Sequence, residues 1–198
     1  MTGALPVVRI TTLRRRGYAL EAGTLAWNVV GVVVLAVIAS RTGSVAILGF
    51  GLDSLIEIGA SIVVIWELSG TGAARQARAL RLIAIAFLAL ATYLTVQAAV
   101  ALLAQEHPAD GPAGILWTGI TAVVMFLLAA GKTVTGKQLG NPVLVSEGRV
   151  TVIDGVLAVA VLIGLVLDAG LGWWWADPLA ALVVVFYAVR EAAHILRG

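Results

Sequence analysis

Three acidic residues sit inside stretches that are otherwise apolar: Asp53, Glu57 and Asp154. A carboxylate at membrane depth costs roughly 2.5–3.5 kcal/mol to insert, so such groups are rare and mark ion or proton paths. Asp53 and Glu57 are four residues apart in GFGLDSLIE (49–57). A helix puts both on one face, one turn apart. Two like charges that close repel, and a proton or a cation relieves the repulsion. Metal ligands must be deprotonated, so binding a metal there releases protons. The pair therefore suits exchange of a divalent cation against protons. Asp154 lies in VSEGRVTVIDG (145–155), with Glu147 two turns earlier on a similar face and Thr151 one turn below. Gly49, Gly51, Gly59 and Gly155 let backbones approach closely around such a site.

The elements that carry these acids are read from composition and run length. Of 198 residues, 61% are hydrophobic and 12% charged, with a mean hydropathy of +1.03. Soluble domains have about 45–50% apolar and about 25% charged residues. This balance excludes an ordinary soluble globule and also disorder. With no cysteine, disulfides, thiolate metal sites and cysteine nucleophiles are excluded. A helix needs about 20 apolar residues to span the hydrocarbon core. Six runs qualify, at about 18–40, 44–66, 79–103, 114–134, 150–171 and 176–195. They predict an all-α integral membrane protein, a six-helix transmembrane bundle that forms one domain over 1–198 with no soluble domain. Because the connections are short, helices consecutive in sequence are expected to be neighbours.

The chain carries 13 Lys and Arg. With a cytoplasmic N-terminus, all of them except Arg41 fall at or near the cytoplasmic side, Lys132 included. This positive-inside asymmetry places both termini in the cytoplasm. It also accounts for a pI near 9.4 without a nucleic-acid partner. Glu21 and Glu147 are expected near the cytoplasmic interface, Asn28 at a helix contact, and the tryptophans, Trp173, Trp174 and Trp175 among them, at the headgroups. His107 and His194 fall outside the spans. Asp177-Pro178 reads as a helix start.

The stretch GSVAILGFGLDSLIEIGASIVVIWEL (43–68) resembles the second helix of the cation diffusion facilitators. VSEGRVTVIDGVLAVAVLIGLVLDAGLGWWWADPLAALVVVFYAVREA (145–192) resembles their fifth and sixth helices. The likeness implies a six-helix homodimeric transporter that moves zinc, manganese, iron, cobalt or cadmium out of the cytoplasm against protons. The family's metal site takes two residues at i, i+4 from helix two and two from helix five. Carried over by position, these are Asp53 and Glu57, then Val150, which cannot bind metal, and Asp154. Thr151, Ser54, Asn28, Glu21 and water remain open for the fourth ligand. Glu147 falls where many members have an acidic residue one turn nearer the cytoplasm. The resemblance is to a short branch without the soluble domain that usually follows helix six, so a dimer is expected to form through membrane helices.

The reading is a secondary transporter in a bacterial-type plasma membrane. The metal is its substrate, no cofactor is expected, and alternating access is the mechanism. Oxygen donors alone favour hard ions such as Mn²⁺, while the family resemblance puts zinc first. Two rivals stand beside it: a proton-coupled exporter of small organic cations, and a non-transporting metal sensor or partner subunit. No nucleophile–base–acid set suggests an enzyme.

Overall fold

The computed structural model describes the backbone of residues 7–42, 45–105 and 112–197. Side chains are described for 8–34, 37, 54–105 and 115–197 apart from Leu165, Asp168, Ala169, Asp177 and Ala180. Six helices follow in order: α1 (Val7–Thr42), α2 (Val45–Leu68), α3 (Ala73–Ala104), α4 (Pro112–Leu139), α5 (Pro142–Leu171) and α6 (Ala176–Arg197). Each expected span has its helix, but two ends differ in a way that matters. Helix α4 runs past 134 to Leu139, and α5 starts at Pro142 rather than near 150.

The corner between them explains both differences. Gly140 adopts φ 63, the left-handed conformation that ends helices and suits a residue without Cβ. The Asn141 N–H then donates to Gly136 O at 2.9 Å. The Asn141 Oδ1 accepts from the Leu144 N–H at 3.0 Å, capping α5, and Pro142 fills the first helical position, where no N–H is needed. Three residues thus close α4 and open α5. Lys132 comes to lie two turns inside α4, and Glu147 in the second turn of α5.

Packing is most extensive between α4 and α5, then between α3 and α6 and between α1 and α2. The α4–α5 approach is close because of glycine. A Cβ on Gly136 would meet Val145 Cγ2 at 2.8 Å, and one on Gly148 would meet Thr133 Oγ1 at 2.8 Å. Small residues at such crossings are what membrane helices use to pack. The bundle has two interiors. The apolar one joins α2, α3, α5 and α6 through Val64, Ile83, Phe87, Leu90, Val150, Leu157 and Val184. The other lies between α1, α2, α4 and α5 and is polar: Glu21, Thr24, Asn28, Glu57, Ser61, Lys132, Glu147, Thr151 and Asp154 are all buried. Helices α2 and α5 serve both, one face to each.

The outside is apolar too. Val33, Ile62, Ile85, Val96, Leu116, Leu127, Ile163, Val166 and Phe186 are exposed. Aliphatic residues on the outer faces of helices around a partly polar interior are the arrangement that hydrocarbon surroundings favour, whereas soluble monomers limit exposed apolar patches. Among the described residues three helices are long and apolar enough to cross a bilayer: Val8–Val34, Ala73–Ala104 and Ile115–Leu139. At one end, Arg14 donates to the carbonyls of Leu68 (2.6 Å) and Gly70 (2.8 Å), which close α2. Arg75 lies 4.2 Å over the Trp66 ring. This end, which also carries Arg15, Arg16 and the α4–α5 corner, is the arginine-rich end of the bundle.

Candidate cation site

A cavity of about 50 Å³ opens within the polar interior, lined by Trp27, Asn28, Ser54, Glu57, Trp117, Thr121 and Asp154 among others. On the measure by which one water needs at least about 10–15 Å³, it holds a few waters or an ion with part of its shell. Four helices build it, α1, α2, α4 and α5. Glu57 is 3% exposed and Asp154 7%, so both carboxylates are buried at its wall. The Asn28 Nδ2 donates to Glu57 Oε2 at 3.0 Å and to its own helix at Thr24 O, 3.0 Å. Those two bonds fix one Glu57 oxygen. The other, Oε1, accepts no hydrogen bond. An oxygen buried without a partner is costly and is available to a cation or a proton. Trp27 and Trp117 stack at 5.3 Å on the cavity wall.

Two helical turns toward the arginine-rich end lies a second polar cluster. The Lys132 Nζ, wholly buried, donates to Glu147 Oε1 at 2.5 Å and to Thr151 Oγ1 at 3.1 Å. Its ion-pair distance to Glu21 Oε2 is 3.3 Å, and both carboxylate side chains are 0% exposed. The Ser61 hydroxyl donates to Glu147 Oε1 at 3.4 Å. Two carboxylates face one ammonium here. Neither Glu21 oxygen, nor Glu147 Oε2, accepts a hydrogen bond.

Three polar stripes connect the cavity to this cluster. They run Asn28, Thr24, Glu21 along α1, Glu57 and Ser61 along α2, and Asp154, Thr151, Glu147 along α5, each at helical spacing.

The expected site residues therefore divide. Glu57 and Asp154 face one cavity, with Asn28 and Ser54 beside them. Glu147, Thr151 and Glu21 gather on Lys132 instead. Asp53 lies in α2 one turn from Glu57, but its side chain, like those of Arg41, His107 and Asp177, is outside the described residues. Among the described residues no three His, Asp or Glu side chains form a group able to hold a metal. Val150 is 1% exposed within the apolar interior, turned from the cavity.

Three expectations need correcting. Consecutive helices are not all neighbours: among the described residues α3 packs on α6 and hardly touches α4. Lys132 is not a marker at the cytoplasmic surface: α4 continues beyond it, and carboxylates of α1 and α5 surround its ammonium. Trp27 and Trp117 line the cavity, because α1 and α4 pack side by side there. The Gly140-Asn141-Pro142 stop was the signal that places Lys132 well inside a helix.

The cation efflux transmembrane domain, as a family, matches residues 81–198. A curated relative, the uncharacterized transporter sll1263 of Synechocystis sp., is 28% identical over 171 residues, covering 79% of this chain and 54% of that protein. The chain thus spans about half the length of this relative. With more than half of the sequence matched, on helices whose outer faces suit lipid, the chain belongs to the cation efflux family and is a multi-pass integral membrane protein.

Proposed function

We propose that the protein exports a divalent metal ion from the cytoplasm in exchange for protons, binding it at Glu57 and Asp154. The observation that carries this reading is the meeting of two buried carboxylates, from α2 and α5, at one small cavity, with Glu57 Oε1 lacking a hydrogen-bond donor. Asp53, one turn along α2, is the third ligand in this reading, and Asn28, Ser54 or water completes the shell. Metal enters from the arginine-rich end, taken as cytoplasmic by the positive-inside rule. It displaces protons from the carboxylates and leaves when the bundle opens on the opposite side. Zinc is the first substrate, then manganese, iron, cobalt and cadmium, with two copies of the chain pairing through their membrane helices. Flux of zinc or manganese into proteoliposomes under a pH gradient tests it. Glu57→Gln and Asp154→Asn abolish flux while leaving the protein folded; undiminished flux in both removes these residues from the mechanism.

The stacked Trp27 and Trp117 favour a second reading, export of a small organic cation held over aromatic faces. The cavity volume weighs against it, because about 50 Å³ takes an ion and water more readily than a quaternary amine. Calorimetric titration with manganese and with tetramethylammonium separates the two.

A further inference from the structure

The Lys132 cluster holds one more carboxyl group than a structural ion pair needs. One carboxylate, Glu147, already meets the ammonium at 2.5 Å, and the Thr151 and Ser61 hydroxyls donate to the same oxygen. Glu21 adds a second, wholly buried carboxylate at 3.3 Å, and neither of its oxygens accepts a hydrogen bond. Its nearest donor is the ammonium that Glu147 already holds, and a second buried carboxyl group sharing one ammonium is more than a structural pair requires. Carboxylate and hydroxyl oxygens from α1 and α5 converge on one point, as they do around a hard cation, and Ser61 of α2 donates to one of them. A cation, the ammonium of Lys132, sits at that point. The cluster also lies on the polar stripes between the cavity and the arginine-rich end, and all its members are sealed from solvent. It therefore stands between the cavity and that end.

We propose that Glu21, Glu147, Thr151 and Ser61 form a second cation site on the path of the transported ion, with the Lys132 ammonium as its tethered occupant in this conformation. Entry from the arginine-rich end requires Lys132 to withdraw and the incoming divalent ion to take its place among the same oxygens. Glu21 supplies the additional charge that a divalent ion demands over an ammonium. The inference rests on the transport reading for its direction, but the site itself is tested separately.

The test counts Mn²⁺ bound to purified protein in lipid nanodiscs by equilibrium dialysis. Lys132→Met keeps the unbranched chain, one atom shorter, and removes its charge. It is expected to bind one Mn²⁺ per chain more than the unaltered protein. Adding Glu147→Gln removes that extra ion, whereas adding Asp154→Asn leaves it in place. No gain in Lys132→Met, or a gain indifferent to Glu147, overturns the proposal.

A second arm does not depend on that variant folding. Glu147→Gln leaves one carboxylate to one ammonium, a neutral and foldable arrangement. Its Mn²⁺ affinity at the cavity is expected to stay within twofold, while flux falls at least tenfold. Unchanged flux per folded protein means that the cluster is only structural and overturns the proposal. If the unaltered protein neither binds nor moves Mn²⁺, the transport reading fails, and the gain in Lys132→Met is still read on its own.

Discussion

The Lys132 ammonium and the Glu147 carboxylate, from two helices joined by only two residues, meet at 2.5 Å with neither side chain exposed. Their contact exists because Gly148 brings α5 so close to α4 that a Cβ there would stand 3.3 Å from Lys132 Cβ. Charge burial and helix approach are thus one structural fact.

Removing only the positive member leaves two buried carboxylates facing each other. Lys132→Met is expected to destabilise the metal-free fold by about 3–5 kcal/mol, the range for breaking a buried pair from one side. The double variant with Glu147→Gln recovers much of that loss. Reversible unfolding in mixed micelles measures both.

Gly148→Leu drives side-chain atoms into Thr133, whose Oγ1 and backbone N would lie 2.8 and 3.2 Å from a Cβ. Part of that contact is main chain and cannot rotate away. Overpacking of this kind costs about 1–3 kcal/mol or more. A lowered midpoint of thermal unfolding and a reduced folded yield are expected. Gly59, where an added Cβ meets nothing within 4 Å, is the control: Gly59→Ala keeps both.

Asn28 aims Glu57 by donating to its Oε2 at 3.0 Å. Asn28→Leu frees that carboxylate to rotate and removes a polar group from the cavity. Loss of an orienting partner of a ligand typically weakens metal affinity about 10–100-fold. Titration with Mn²⁺ is expected to show at least the lower figure, with the fold retained.

Val150 occupies the family's fourth ligand position by sequence but sits in the apolar interior against α3 and α6. Val150→His buries an imidazole there without a partner. The expected result is lower stability, by about 1–3 kcal/mol for an unsatisfied polar group, with no change in the order of metal preference. A shift toward zinc in metal-competition dialysis contradicts the placement.

Asp53 stands one turn from Glu57 on α2. Asp53→Ala is expected to abolish metal–proton exchange in proteoliposomes, as Asp154→Ala does, without loss of folded protein. Flux of ⁶⁵Zn together with an internal pH dye measures both limbs of the exchange.

Much of the architecture was legible in the order of residues. Hydrocarbon thickness sets the length of an apolar run, so six runs predicted six helices. The four-residue spacing of Asp53 and Glu57 fixed their shared face before any packing was known. Helix ends were less legible, because apolar content fades gradually while a backbone stop is local: the 134 and 150 boundaries gave way to the Gly140-Asn141-Pro142 corner. Which residues meet across helices was not legible. Lys132 reads as a surface charge in one dimension, since a lysine in water and a lysine paired in a bundle look alike in a hydropathy profile. Only the close approach of α4 and α5, with α1 alongside, brings Glu147 and Glu21 to it, and only the packing of α2 against α5 puts Glu57 and Asp154 on one cavity. Helical periodicity determines the face on which a side chain stands; the partner that face meets depends on the rotation and crossing of whole helices, which tertiary packing alone decides.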